Sequence, residues 1–230
     1  MNWICVLFCM IILFCVWNGY RLGFIRTVFS VFTVVVGILI SLVISPTICN
    51  MLCENQKVVQ SIEERVFAVE EKGKAVSKSQ QKKSIENMKL PEVIQNALKE
   101  NNNEEIYRMF GVSNFEEYVI RYLTMLIIRI FVHFITFAIV FALLQILCCI
   151  LDVISRLPVL DGLNKTAGLL IGLVKGVVIV ELIMLLFLPF QNTQIGMSLM
   201  DQIMENPVLN WMFNNNLILR VLMNLEKMFL

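Results

Sequence analysis

Glu181 stands in the middle of VIVELIMLL, and His133 stands in the middle of IFVHFITF. Each is a titratable side chain inside an apolar run. A carboxylate and an imidazole so placed can relay protons, or can satisfy one another where two helices meet. Arg129 lies one helical turn before His133, and Gln145 lies further along the same run. The expected pairing is Glu181 with His133 or Arg129, and Gln145 with Lys175. Two roles fit these residues. One is a small ion or solute route lined by Glu181 and His133; the other is a structural contact between helices. One acid and one imidazole do not make a pathway, so the structural contact is the expected role, with Glu181 kept as the functional candidate. Arg26 and Lys175 each lie about two turns inside a helix start. Their long stems can snorkel to lipid headgroups and meet phosphate there.

Other chemistries find little support. His133 is the single histidine, which excludes a multi-histidine metal site. The chain lacks G-x-S-x-G, G-x-x-x-x-G-K-[ST], H-E-x-x-H and paired C-x-x-C, the spacings that carry a nucleophile elbow, a phosphate cradle, a zinc protease site and a zinc clamp. No cofactor, metal or enzymatic activity is expected. Five of the seven cysteines, Cys5, Cys9, Cys15, Cys148 and Cys149, lie in apolar runs, where a thiol acts as a small hydrophobe. Cys49 and Cys53 lie just past a run, four apart. A net charge of +1 gives no field that would recruit nucleic acid.

The elements that must position these residues are apolar blocks. Hydrophobic residues make up 58% of the chain, and mean hydropathy is +0.76. The blocks cover residues 2–17, 27–44, 130–151 and 166–189, and about 20 residues at 1.5 Å each suffice to span a bilayer. An all-α membrane protein follows, with four transmembrane helices, a helical extracytoplasmic loop and amphipathic C-terminal helices. Its expected divisions are a first hairpin (1–44), the loop (45–118), a second hairpin (119–189) and the tail (190–230). The first block lacks a basic n-region and an A-x-A site, so it reads as a retained helix. Arg21 and Arg26 mark one short turn, and Arg156 and Lys165 mark the other. By the positive-inside rule both turns face the cytoplasm and both termini lie outside. The segment 45–121 carries 11 Lys/Arg against 12 Asp/Glu, but its length removes it from that rule.

A spacing recurs across the two hairpins. GYRLGFIR (19–26) and GLLIGLVK (168–175) share G-x-x-x-G, two apolar residues and a base. The stripe continues through Ser30, Thr33, Gly37, Ser41 and Ser45 in the second helix, and through Gly176 in the fourth. Small residues at this spacing let backbones approach closely, so the second and fourth helices are expected to nest stripe to stripe.

These residues resemble the colicin V production protein (CvpA) family. The likeness rests on NGYRLGFIRTVFSVFTVVVGILIS, on RLPVLDGLNKTAGLLIGLVKGVVIVELIMLLF and on ENPVLNWMFNNN. It covers about the first 45 and the last 110 residues, and leaves the loop outside. The resemblance implies a multi-pass bacterial inner-membrane protein tied to toxin production or export, or to envelope homeostasis. It supplies no catalytic residues. It maps Gly19, Gly23, Arg26, Pro158, Asn164, Gly168, Gly172 and Lys175 to helix packing or headgroup contact. The partners it implies are membrane lipids, an envelope or secretion protein, and a second copy of the chain.

Overall fold

The computed structural model describes residues 2–67, 78–152, 161–191 and 193–229. Residues 72–77 of the lysine-rich stretch 72–83 and the turn bearing Arg156 and Pro158 lie outside the described residues, as do the side chains of Cys148 and Cys149. The described residues are helical nearly throughout. In order they form α1 (Trp3–Cys53), α2 (Gln56–Phe67), α3 (Lys78–Glu86), α4 (Glu92–Glu100), α5 (Glu104–Phe110), α6 (Phe115–Asp152), α7 (Asp161–Phe187), a 3-10 turn (Leu188–Phe190), α8 (Gln194–Glu205), α9 (Pro207–Asn214) and α10 (Leu217–Phe229).

Three helical segments are long and apolar enough to cross a membrane: Trp3–Cys53, Phe115–Leu147 and Asn164–Phe190. The first contains both of the first two predicted blocks. Its backbone leaves the helical region at Gly23, with φ 79° and ψ 171°. That positive φ suits glycine because no Cβ meets the carbonyl. The contacts of α7 show what the break does. Ile12 lies against Gly176, and Ser30 bonds Lys175, so residues before and after Gly23 stand at one level of α7. The two halves of α1 therefore run back along one another.

The chain divides into two compact units. The first comprises Met1–Ile48 and Phe131–Ile183; the second comprises Cys49–Ile130 and Met184–Leu230. The loop and the tail thus share one unit, and α6 begins at Phe115, well before the apolar block at 130.

The second unit has a side-chain core. Ile85, Ile94, Leu98, Tyr118, Met200, Ile203, Phe213 and Leu219 are fully buried. Tyr118 anchors an aromatic stack, 5.2 Å from Tyr107 and 6.0 Å from Tyr122 between ring centroids. Its hydroxyl donates to the Leu98 carbonyl at 2.9 Å. Side-chain caps set the helix starts. Asn103 accepts from the Ile106 amide, Thr193 from Gly196, and Asn206 from Val208 and Leu209, each satisfying an orphan N–H. Pro91 precedes the first turn of α4, and α5 ends at Gly111, a left-handed C-cap at φ 66°. The tail docks on the loop helices. Asn214 accepts from the Glu92 amide at 3.2 Å, and Lys89 pairs with Asp201. The opposite side of the tail is apolar and open, with Ile195 75%, Trp211 66% and Leu217 64% exposed.

Candidate functional site

The polar and glycine residues singled out by the sequence gather in the first unit. Gly19, Gly168 and Gly172 bring the first half of α1 onto α7 with no side chain between them. A Cβ built on Gly168 would strike the Gly19 carbonyl oxygen, and one on Gly19 would strike that of Gly168. A Cβ on Gly172 would stand 2.5 Å from the Cys15 carbonyl oxygen, and one on Gly176 3.0 Å from Ile12 Cα. Backbones meet this closely only where glycine repeats every fourth residue on one helix face.

The partners differ from the expected nesting of two stripes. The stripe of α7 lies on residues 12–23, the first half of α1. Beyond the break Ser30 still meets Lys175 of α7, but from Gly37 onward the small residues face α6, where a Cβ on Gly37 would lie 3.2 Å from the Phe137 ring. The reason is Gly23. A single rod from Gly19 onward would carry Gly19 and Ser30 on one stripe, but the positive φ at Gly23 ends one helix and starts another. Gly19 and Ser30 therefore belong to different helices.

Asn164 locks the turn. Its Oδ1 accepts from the backbone N–H of Phe24 at 2.8 Å and of Ile25 at 3.4 Å. These are orphan donors of the helix that begins after Gly23, so Asn164 caps it from another helix. Its side chain fills the space that a Cβ on Gly23 would need. Thr27 strengthens the join, its hydroxyl donating to the Gly23 carbonyl at 2.7 Å and reaching the Gly19 carbonyl at 3.3 Å. Sequence reasoning missed Thr27 and reached Asn164 only through the family resemblance. An asparagine at a turn is the only local signal, and it does not say which amide the side chain meets.

His133 is 3% exposed and sits among hydroxyls. Ser41 Oγ lies 3.3 Å from Nε2 and Ser45 Oγ 3.3 Å from Nδ1. Ser41 also donates to the Ile38 carbonyl at 2.8 Å. A neutral imidazole satisfies this set: Nε2–H donates to Ser41, and Nδ1 accepts from Ser45. Ser41 and Ser45 were legible as a small-residue stripe but not as partners of the imidazole. Lys175 is half-buried and donates to Ser30 at 2.6 Å, an intramolecular partner in place of the expected Gln145. Arg26 is exposed and Gln145 is half-buried. Glu181 is 9% exposed, next to the fully buried Val180. Arg129 belongs to the second unit, where its guanidinium faces the Cys49 thiol. Among the described residues no cluster of three or more His, Cys, Asp or Glu could hold a metal ion.

This arrangement closes polar groups onto one another inside an apolar shell. It supplies packing and orientation. Compared with protein-family models, with curated proteins and with solved structures, the chain finds no match.

Proposed function

We propose that the chain is a four-span, non-enzymatic protein of the bacterial cytoplasmic membrane. It would act as an accessory or scaffold factor of the colicin V production type, in toxin export or envelope maintenance. The family part of this reading rests on the resemblance of GYRLGFIR and GLLIGLVK with their flanks. The four spans rest on the break at Gly23. Residues 3–22 make about 30 Å of helix, one hydrocarbon thickness. Both termini and the loop would then lie outside the cell, and the open apolar side of the tail would rest among lipid headgroups. Trp211 and Ile195 are the side chains best placed for that contact, and α8 starts just after the span that ends at Phe190.

One observation carries the choice of scaffold over transporter. Buried polar groups of the first unit are engaged within it, His133 by Ser41 and Ser45 and Lys175 by Ser30. A route for ions needs such groups turned to water, whereas His133 and Glu181 are 3% and 9% exposed.

Purified chain in liposomes tests the reading. Proton and cation flux should equal that of empty liposomes, with Glu181→Gln unchanged. Flux that Glu181→Gln abolishes would establish the transporter instead.

A further inference from the structure

We propose that Cys49 and Cys53 form an oxidisable dithiol at the end of α1, closed to an intrahelical disulfide by exchange with a disulfide-bearing oxidant. The two sulfurs lie 3.6 Å apart, one helical turn from each other in the second unit. Cys49 is buried, 3% exposed, and Cys53 is half-exposed. Arg129 faces the Cys49 sulfur from α6.

The backbone permits the bond. Helical residues four apart have Cα atoms about 6 Å apart, within the 4.4–6.8 Å range that disulfides use. Their Cβ atoms start at about 5–6 Å and must close to about 4 Å, so the last turn has to tighten. Cys53 is the final residue of α1. After it the pattern already shortens, with the Asn55 amide bonding the Leu52 carbonyl at 3.2 Å. Closure there distorts one terminal turn and no helix interior.

The accessible and buried sulfurs take different roles. The Cys53 thiolate attacks a disulfide R–S–S–R, whose S–S bond breaks and releases one thiolate, protonated to RSH. The mixed disulfide on Cys53 is then attacked by Cys49, whose proton passes to water. The second R–S− leaves. The two protein thiols lose two electrons, and R–S–S–R gains them as two RSH.

The test uses the full chain in detergent, equilibrated with oxidised and reduced glutathione, acid-quenched and alkylated with N-ethylmaleimide. The tryptic peptide 27–57 holds both residues. Oxidation should leave it about 2 Da lighter with no alkyl group, and dithiothreitol should restore two alkylatable thiols. Cys49→Ser should instead hold glutathione on Cys53, because the resolving sulfur is gone. A wild-type peptide that stays doubly alkylated at every glutathione ratio, or that stops at the Cys53–glutathione adduct, would overturn the proposal.

Discussion

The two units of this chain solve the packing problem in opposite ways. In the first, large apolar side chains point outward. Leu13, Phe14, Phe29, Phe32 and Val43 are each more than 60% exposed, while Ser41, Thr27 and Thr33 are buried. In the second, Tyr118, Phe213, Ile94 and Leu98 fill the interior. The contrast follows from the solvent that each is built for. A leucine gains nothing by leaving lipid for another helix, so helices meet there through glycine and hydroxyl groups. Against water, burial of large apolar side chains is the dominant favourable term. The same inventory of apolar residues is thus turned inside out between the two units.

Substitutions that remove or add volume should therefore act oppositely in the two units. The largest effect is expected from Phe213→Ala, about 3–5 kcal/mol by loss of a fully buried ring. Hydrogen exchange should show it confined to the second unit; equal deprotection of residues 131–147 would break the contrast. Next comes Gly168→Val, about 1–3 kcal/mol by overpacking against the Gly19 carbonyl. Leu143→Ala, on an exposed leucine of the same unit, should stay within about 0.5 kcal/mol. Unfolding in graded detergent would read both, and a reversed ranking would contradict the glycine seam. Asn164→Ala should cost about 1 kcal/mol through the lost cap on Phe24 and Ile25, with Asn164→Asp retaining most of it.

The smallest effects concern pH and fall in the second unit. Burial holds the Glu63 carboxyl above the ordinary carboxylate range, and Arg121 pulls it partly back. The folded state then keeps a proton that the unfolded state has released. Stability falls as pH rises through the window just above the ordinary value, and Glu63→Gln should flatten that slope. Glu86 has the opposite sign. The hydrogen bond and charge of Lys99 hold it below the ordinary range, so its contribution is present above that range and fades as pH falls through the lowered value. Lys99→Met should remove it. Denaturation midpoints across acid pH would sort the two.

Much of the first unit was legible because its constraints are local in sequence. Apolar runs announce spans, and G-x-x-x-G announces close approach wherever the partner lies. Which helix fills a glycine face was not legible. It depended on the backbone at Gly23, and nothing in GYRLGFIR distinguishes a glycine that packs from one that turns. The partners of His133 were hidden for a related reason. Charge logic pointed to Glu181, whereas two serines of a stripe read only as small residues provide hydrogen bonds to the imidazole. In the second unit the caps at Asn103, Thr193 and Asn206 are written in local sequence. Docking of the tail on α4 needs a contact across more than a hundred residues, which periodicity cannot supply.

The central claim is that α7 lies glycine-first on the first half of α1. A Cβ at position 176 would stand 3.3 Å from the Cβ of Cys15, within reach of a disulfide. In membranes carrying Gly176→Cys, with every native cysteine but Cys15 replaced by serine, a mild oxidant should join positions 15 and 176. The join would appear as fragments held together after cleavage in the loop until reductant is added. Fragments that separate without reductant, under oxidation that cross-links a known proximal pair, would contradict the account.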